Sequence, residues 1–227
     1  MSASAIKEIK LVAFDVAGTT VNDDGLVIKA FKVAFEKSQP ELWPEKGELW
    51  TKYALDTMGQ SKIHVFTELL GDIEQARVAN VAFEEAYLNE IAEQGITPIK
   101  GTLETFTELR ERGIAVALTT GFSRATLDPM LFELGWLGLI DASATPEEAG
   151  RGRPHPDMLN YVANKLNIQT PESVMVVGDT ASDMQAGVAF GANRVIGVLS
   201  GAHSQEILHD AGATSVINSI ADLISLI

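Results

Sequence analysis

Short apolar runs alternate with helical segments along most of the chain. The three clearest runs are at 11–14, 114–119 and 173–177, and each has the length of a buried parallel strand. Weaker strand candidates lie at 139–140, 194–198 and 214–217. This pattern predicts several strands that are spaced widely enough for a helix to fit between neighbours.

Apolar residues at helical spacing lie between these runs. Leu103, Phe106 and Leu109 share one face of a predicted helix over 102–112, which Gly113 is expected to end. Segments 156–166 and 182–190 are also predicted helices. The alternation predicts an α/β fold with a Rossmann-like, mostly parallel sheet and helices on both faces. Ligands of such sheets bind at the carboxyl ends of the strands.

The stretch 22–97 differs because it has helical patterns and no convincing strand. Val78, Val81, Leu88 and Ile91 are spaced as one helical stripe, with Gly95 as its predicted end. We interpret this stretch as a helical cap inserted into a core of 1–21 and 98–227. One long crossover connection within a single domain is the alternative.

Composition and charge limit the classes of function. The 227 residues include no cysteine, so any metal must be bound by oxygen or imidazole ligands. A net charge of -14 argues against a nucleic-acid partner, and an anionic substrate would need a local cation. The polar N-terminus and the lack of a long apolar run predict a cytoplasmic protein without a membrane partner.

Carboxylates follow two of the clear strands. Asp15 comes after the first strand, where Gly18 allows a turn whose amides, with Thr19, could bind a phosphoryl oxygen. Asp179 and Asp183 follow the third strand, and converging carboxylates of this kind form Mg²⁺ sites. Each aspartate can also be interpreted structurally, because aspartates often stabilise helix N-termini.

Two further segments offer a hydroxyl and a cation. Thr120 follows the second strand and is either a phosphoryl ligand or a turn residue. Arg153 precedes Pro154 in a stiff loop and could bind phosphate or pair with a carboxylate. A surface arginine is the alternative.

In order and spacing, the four segments resemble the four loop motifs of the haloacid dehalogenase superfamily, from Leu11 to the last strand. The resemblance implies that Asp15 is a nucleophile forming an aspartyl-phosphate, that Thr120 binds the phosphoryl group and that Arg153 replaces the usual lysine. It implies Mg²⁺ as cofactor, with metal positions at Asp15, Ala17, Asp179 and Asp183. It implies substrate contacts at Gly18, Thr19, Met58, Gly59, Gly121 and Phe122.

Ala17 departs from the phosphatases of this superfamily, which carry a second aspartate there as general acid and base. Alanine cannot transfer a proton, and a positioned acid or base contributes roughly 10²–10⁴-fold. Together with Arg153, this position resembles the phosphonatase-like branch, the phosphonoacetaldehyde hydrolases, which cleave a carbon–phosphorus bond.

Lys62 strengthens this resemblance. The branch carries a Schiff-base lysine in a Met-Gly-x-x-Lys segment, and this chain has Met58-Gly-Gln-Ser-Lys62. The resemblance implies that Lys62 condenses with an aldehyde so that the iminium accepts electrons as the bond to phosphorus breaks. A solvated helix lysine is the alternative.

Other positions differ from the branch. A histidine expected three residues after the lysine is Val65, with His64 one place early, and a tyrosine expected after the Thr-Gly pair is Phe122. The substrate is therefore predicted to be phosphonoacetaldehyde or a related small phosphonate or phosphate. A phosphate-ester hydrolase and a phosphoryl-binding module with little turnover are alternatives, and a homodimer is a further expectation from relatives.

Overall fold

The computed structural model describes residues 8–227, in which six parallel strands form one sheet of order β3-β2-β1-β4-β5-β6. The strands are β1 (Leu11–Phe14), β2 (Ala115–Thr119), β3 (Ala142–Ala144), β4 (Val174–Gly178), β5 (Arg194–Val198) and β6 (Ser215–Ile217). The first strand lies in the middle of the sheet. Its carboxyl end is therefore flanked by those of β2 and β4.

Helices lie between the strands and in the long segment after β1. Those of the long segment are α1 (Leu26–Ser38), α2 (Trp43–Asp56), α3 (Lys62–Leu70) and α4 (Ile73–Gln94). The others are α5 (Thr102–Glu111), α6 (Arg124–Glu133), α7 (Pro146–Ala149), α8 (Asp157–Lys165), α9 (Ala181–Phe190) and α10 (Gln205–Asp210). Short 3-10 turns occur at Pro171–Ser173 and Ile220–Leu226.

The α/β prediction is confirmed, with one strand misplaced. The three clear runs are β1, β2 and β4 within one residue at each end, and 194–198 is β5. The candidate at 139–140 is wrong, because Leu139 lies in a turn where its amide bonds to Trp136 O at 2.9 Å. The strand begins two residues later as Ala142–Ala144, whose small residues carry little apolar pattern.

Alternate residues of β1 point to opposite faces of the sheet. Val12 and Phe14 belong to one apolar cluster, in which the Phe14 and Phe106 rings are 5.3 Å apart. Leu11 and Ala13 belong to a second cluster with α8. Burial on both faces explains why β1 is continuously apolar.

The helical segment has its own aromatic core. Phe31, Phe35, Phe66 and Phe83 lie with neighbouring ring centroids 4.9–6.3 Å apart. The chain leaves and re-enters the sheet region at one point, where Asn22 N donates to Thr97 O at 3.0 Å. The division into a core and a cap at these positions stays a prediction.

The stripe predicted for α4 is wrong at its first two positions. Val78 and Val81 are 61% and 53% exposed. The buried face instead carries Ala76, Ala79, Ala82, Phe83, Ala86, Tyr87 and Ile91. Alanines let α4 pack closely on α1 and α3, and a search for large apolar residues misses such a face. None of the helices within 8–227 has the length and apolar character that a bilayer crossing requires.

Candidate active site

Strand register places the predicted site residues at one edge of the sheet. Phe14 pairs with Leu118 on β2 and with Val177 on β4. Asp15 follows Phe14, and its amide donates to Val177 O at 2.9 Å. Thr120 and Asp179 follow the ends of the two flanking strands. The three residues thus emerge side by side, as expected for the carboxyl edge of a parallel sheet.

Three buried carboxylates converge at this edge. Ligand oxygens of Asp15, Asp179 and Asp183 lie within 4.8 Å of one another. Burial, and then the negative charge of Asp15, raise the pKa of Asp179 to about 7. An oxygen-only donor set with repelling charges has the chemistry that suits Mg²⁺, which would relieve the repulsion.

The Asp179 carboxylate is fixed by its surroundings. Thr19 Oγ1 donates to its Oδ1 at 3.1 Å, and Ala202 N donates to its Oδ2 at 2.8 Å. A Cβ at Gly18 or Gly201 would lie 2.6 or 2.0 Å from Oδ2. Both glycines are therefore needed for the loops to close around this side chain.

Arg153 connects two of the carboxylates. Its Nη2 donates to Asp15 Oδ1 at 2.6 Å and to Thr119 O at 3.2 Å, and its Nη1 pairs with Asp183 Oδ1. Thr180 N donates to the other oxygen of Asp183 at 3.1 Å. Both Asp183 oxygens thus have partners, so this residue is placed to orient Arg153 as well as to face a metal.

The turn after Asp15 differs in detail from the expectation. The amides of Gly18, Thr19 and Thr20 donate to Val21 O and Val16 O, so the turn itself uses them. Among the described residues, none accepts a hydrogen bond from the amides of Val16 and Ala17. Within this turn, the amides left free for a phosphoryl oxygen are therefore those of Val16 and Ala17, which precede Gly18. Ala17 can offer a metal only its backbone carbonyl.

Thr120 has a hydroxyl whose hydrogen is available. Its Oγ1 accepts a hydrogen bond from Phe122 N at 3.2 Å, and the side chain is buried. A hydroxyl that accepts in this way can still donate to a ligand. The position suits a phosphoryl contact beside Asp15.

The Met58–Lys62 segment lies directly against the sheet loops. Ser182 Oγ donates to Met58 O at 3.1 Å, and Lys62 N donates to Gly121 O at 3.3 Å. A Cβ at Gly59 would lie 2.3 Å from Thr180 Oγ1, and one at Gly121 would lie 2.3 Å from Gln60 O. These glycines permit the close approach that brings Lys62 to the carboxylate edge.

Lys62 is buried, and its Nζ lies 5.8 Å from the Phe31 ring centroid and 5.2 Å from that of Phe122. No carboxylate among the described residues forms an ion pair with it. Burial lowers the pKa of Lys62 to about 8, although the charge of Asp15 opposes this shift. A lysine in this setting has a much larger neutral fraction near physiological pH than an exposed lysine has.

His64 does not substitute for the histidine missing at position 65. Val65 is buried, whereas His64 is exposed and lines a cavity of about 430 Å³ with Arg151 and His155. One residue along a helix turns a side chain by about 100°. The two positions therefore face different surroundings.

The sequence interpretation missed two polar residues in the surroundings of Lys62 and Phe122. Asp23 accepts from Val27 N at 3.1 Å, burial raises its pKa, and its charge acts on Lys62. Tyr87 is fully buried, with its ring 4.7 Å from that of Phe122. The sequence signal for Asp23 was the pair of aspartates directly before Gly25. The sequence signal for Tyr87 was a tyrosine within an otherwise apolar helix face.

Comparisons with known proteins identify the family. The model of haloacid dehalogenase-like hydrolases matches residues 9–191. A phosphonoacetaldehyde hydrolase from Latilactobacillus sakei is 31% identical over 193 residues, which cover 79% of this chain and 72% of that protein. The chain belongs to the haloacid dehalogenase-like hydrolase family. The resemblance to its phosphonatase-like branch is thereby confirmed.

Solved structures show the same fold. A phosphonoacetaldehyde hydrolase like protein from Oleispira antarctica has a TM-score of 0.82 at 22% identity, covering 100% of this chain and 94% of that one. A predicted phosphoglycolate phosphatase from Haemophilus somnus has a TM-score of 0.77 at 18% identity, covering 98% and 99%. At these identities the likeness concerns the fold alone.

Proposed function

We propose that this hydrolase cleaves the carbon–phosphorus bond of phosphonoacetaldehyde or a closely related aldehyde. Asp15 acts as nucleophile, and Lys62 forms a Schiff base. The observation that carries the proposal is the setting of Lys62, which is buried, lacks an ion-pair partner in the described chain and lies beside the carboxylate edge. A lysine held in this way for structural reasons alone would be destabilising.

In the proposed reaction, the neutral Lys62 amine adds to the aldehyde carbon, and loss of water gives an iminium ion. Asp15 then attacks phosphorus, and the electron pair of the carbon–phosphorus bond moves into the iminium to form an enamine. Water hydrolyses the aspartyl-phosphate and releases phosphate. Protonation and hydrolysis of the enamine release acetaldehyde and regenerate Lys62.

The surrounding groups would stabilise the phosphoryl group. Thr120 Oγ and the amides of Val16 and Ala17 are donors at the same edge of the sheet, and Arg153 supplies positive charge next to Asp15. Asp15, Asp179, Asp183 and the Ala17 carbonyl would hold Mg²⁺, which would supply further positive charge. This local charge offsets the repulsion between an anionic substrate and a chain of net charge -14.

The absence of an acid at Ala17 supports carbon–phosphorus chemistry. The leaving carbon needs no proton while the iminium accepts its electrons. Hydrolysis of an alkyl phosphate ester would have to expel an alkoxide without help from this position. A carboxylate at position 17 is thus unnecessary for the proposed reaction.

A phosphate-ester hydrolase is the second candidate. The converging carboxylates and the free Thr120 hydroxyl favour it, because a phosphate ester could use the same groups. Such an enzyme would not depend on Lys62. The cap assignment for 22–97, a cytoplasmic location and a homodimer stay predictions alongside either function.

The deciding experiment compares substrates and lysine variants. Purified protein with Mg²⁺ is incubated with phosphonoacetaldehyde or with a generic phosphate ester, and phosphate and acetaldehyde release are followed. The proposal predicts both products from the phosphonate, loss in Lys62→Arg and retention in Lys46→Arg, an exposed lysine of the same helical segment. Ester hydrolysis that is independent of Lys62, without phosphonate turnover, would favour the second candidate.

A further inference from the structure

The Tyr87 hydroxyl is a buried polar group without a partner. It has no hydrogen bond to any described residue, and the whole side chain is inaccessible to solvent. Buried hydroxyls are nearly always hydrogen-bonded, and an unsatisfied one destabilises the fold. Phenylalanine would fill the same space without this loss. The hydroxyl therefore needs an explanation other than packing.

The position of Tyr87 supplies that explanation. Its ring centroid lies 4.7 Å from that of Phe122. Lys62 Nζ lies 5.2 Å from the same Phe122 centroid. Tyr87 and the Lys62 amine thus both contact the Phe122 ring. Tyr87 also stacks on Phe83 with ring centroids 6.0 Å apart, which fixes its ring within the aromatic core.

The charged residues of the site act on the Tyr87 hydroxyl and limit the role it can have. Burial, followed by the negative charges of Asp23 and Asp15, raises the pKa of Tyr87 far above its usual value. The phenol therefore stays protonated throughout the working pH range. It can donate a hydrogen bond to a ligand oxygen but cannot act as a base.

We propose that the Tyr87 hydroxyl donates a hydrogen bond to the carbonyl oxygen of an aldehyde substrate while Lys62 attacks the adjacent carbon. The bond orients the carbonyl and persists to the hydroxyl of the first adduct. Tyr87 thereby makes the site specific for phosphonates that carry a carbonyl oxygen. This inference rests on the proposed function, because it needs an aldehyde at Lys62.

The test uses Tyr87→Phe, which removes only the hydroxyl, and Tyr53→Phe as a matched control in α2. Turnover of phosphonoacetaldehyde is measured beside competitive inhibition by ethylphosphonate, which has no carbonyl oxygen. We expect kcat/KM to fall by about tenfold or more in Tyr87→Phe, as for loss of a substrate-directed donor. The inhibition constant of ethylphosphonate should stay within about twofold, and Tyr53→Phe should behave as wild type.

Thermal unfolding separates a ligand-directed hydroxyl from a structural one. The melting temperature of Tyr87→Phe should not fall, because no internal hydrogen bond is lost. A lower melting temperature, or equal weakening of ethylphosphonate and phosphonoacetaldehyde, would show a structural role and overturn the inference. Unchanged turnover in Tyr87→Phe, with an active wild type, would overturn this inference alone. No turnover by the wild type would overturn the proposed function together with it.

Discussion

Arg153 Nη2 donates to Asp15 Oδ1 over 2.6 Å, and both side chains are more than nine-tenths buried. The same guanidinium also pairs with Asp183. A planar fork of donors can connect two carboxylates in this way, whereas a lysine ammonium is a single compact charge. Arg153 therefore sets the spacing between Asp15 and Asp183.

Replacing Arg153 should reduce both stability and activity. Arg153→Met leaves two buried carboxylates without their cation and should destabilise the fold by about 3–5 kcal/mol in denaturant unfolding. Arg153→Lys should be less destabilising but should still lower kcat/KM at least tenfold. The control Arg151→Lys alters an exposed ion pair with Asp157, so its unfolding midpoint should match that of the wild type. Equal stability of Arg153→Met and wild type would contradict the bridging role.

The pH dependence should report the state of Lys62. Burial and Arg153 lower its pKa, whereas Asp15, Asp23 and Asp179 raise it, with a net value of about 8. Because the neutral amine is the nucleophile, kcat/KM should rise about tenfold per pH unit below pH 8 and level off above it. Steady-state rates from pH 6 to 9.5 check this limb. A profile that is flat across this range would contradict it.

The same pKa shift has a consequence for stability. Between about pH 8 and 10.5, Lys62 is neutral in the folded state, whereas the unfolded chain still binds the proton. The free energy of unfolding therefore rises with pH across this range, as the destabilisation by the buried charge is removed. Lys62→Met should therefore be more stable than wild type at pH 7, and this difference should shrink as the pH approaches 10.5. Urea unfolding at the two pH values measures it.

The contact between the helical segment and the sheet loops can be tested at Gly121. In Gly121→Ala, the added Cβ would meet backbone atoms of Gln60 at 2.3 and 3.0 Å, which cannot rotate away. The displaced Lys62 segment should lower kcat/KM by roughly 10²-fold, as expected for a misplacement of about 1 Å. Gly138→Ala has nothing within 4 Å of its Cβ and should match wild type. Full activity of Gly121→Ala would show that this contact is dispensable.

Mg²⁺ should stabilise the protein through the carboxylate cluster. Saturating Mg²⁺, at about 100 times its dissociation constant, should add about 2.7 kcal/mol to the wild type. Asp179→Asn should lose this gain, yet be more stable than wild type without metal because it removes a buried repulsive charge. Thermal shifts with Mg²⁺ or EDTA measure both effects. The control Asp157→Asn lies outside the cluster and should keep the stabilisation by Mg²⁺. Loss of that stabilisation in the control would argue against the assigned site.

The central part of the fold could be predicted from the sequence. β1, β2 and β4 are apolar throughout because both faces of the sheet are covered, and this periodicity is visible without a structure. Since parallel strands end at one edge, Asp15, Thr120 and Asp179 could be brought together in advance. β3 could not be located, because Ala142–Ala144 lacks large side chains and is specified by its neighbours.

The details of the site required three-dimensional contacts. Whether Lys62 is buried depends on the close approach of Gly59 and Gly121, which no local pattern encodes. The use of the Gly18–Thr20 amides within the turn follows from the positions of Val21 O and Val16 O. The unpartnered Tyr87 hydroxyl is defined by everything packed around it, and Phe83 and Phe122 lie 4 and 35 positions away in the chain.

Covalent trapping at Lys62 tests the Schiff base most directly. Protein is mixed with phosphonoacetaldehyde and Mg²⁺ and reduced with borohydride, and the modified peptide is located by mass spectrometry, with Lys62→Arg and Lys46→Arg in parallel. The account predicts an ethyl adduct on Lys62, irreversible loss of activity and no adduct in Lys62→Arg. Phosphate release from phosphonoacetaldehyde with Lys62 unmodified after reduction would contradict it.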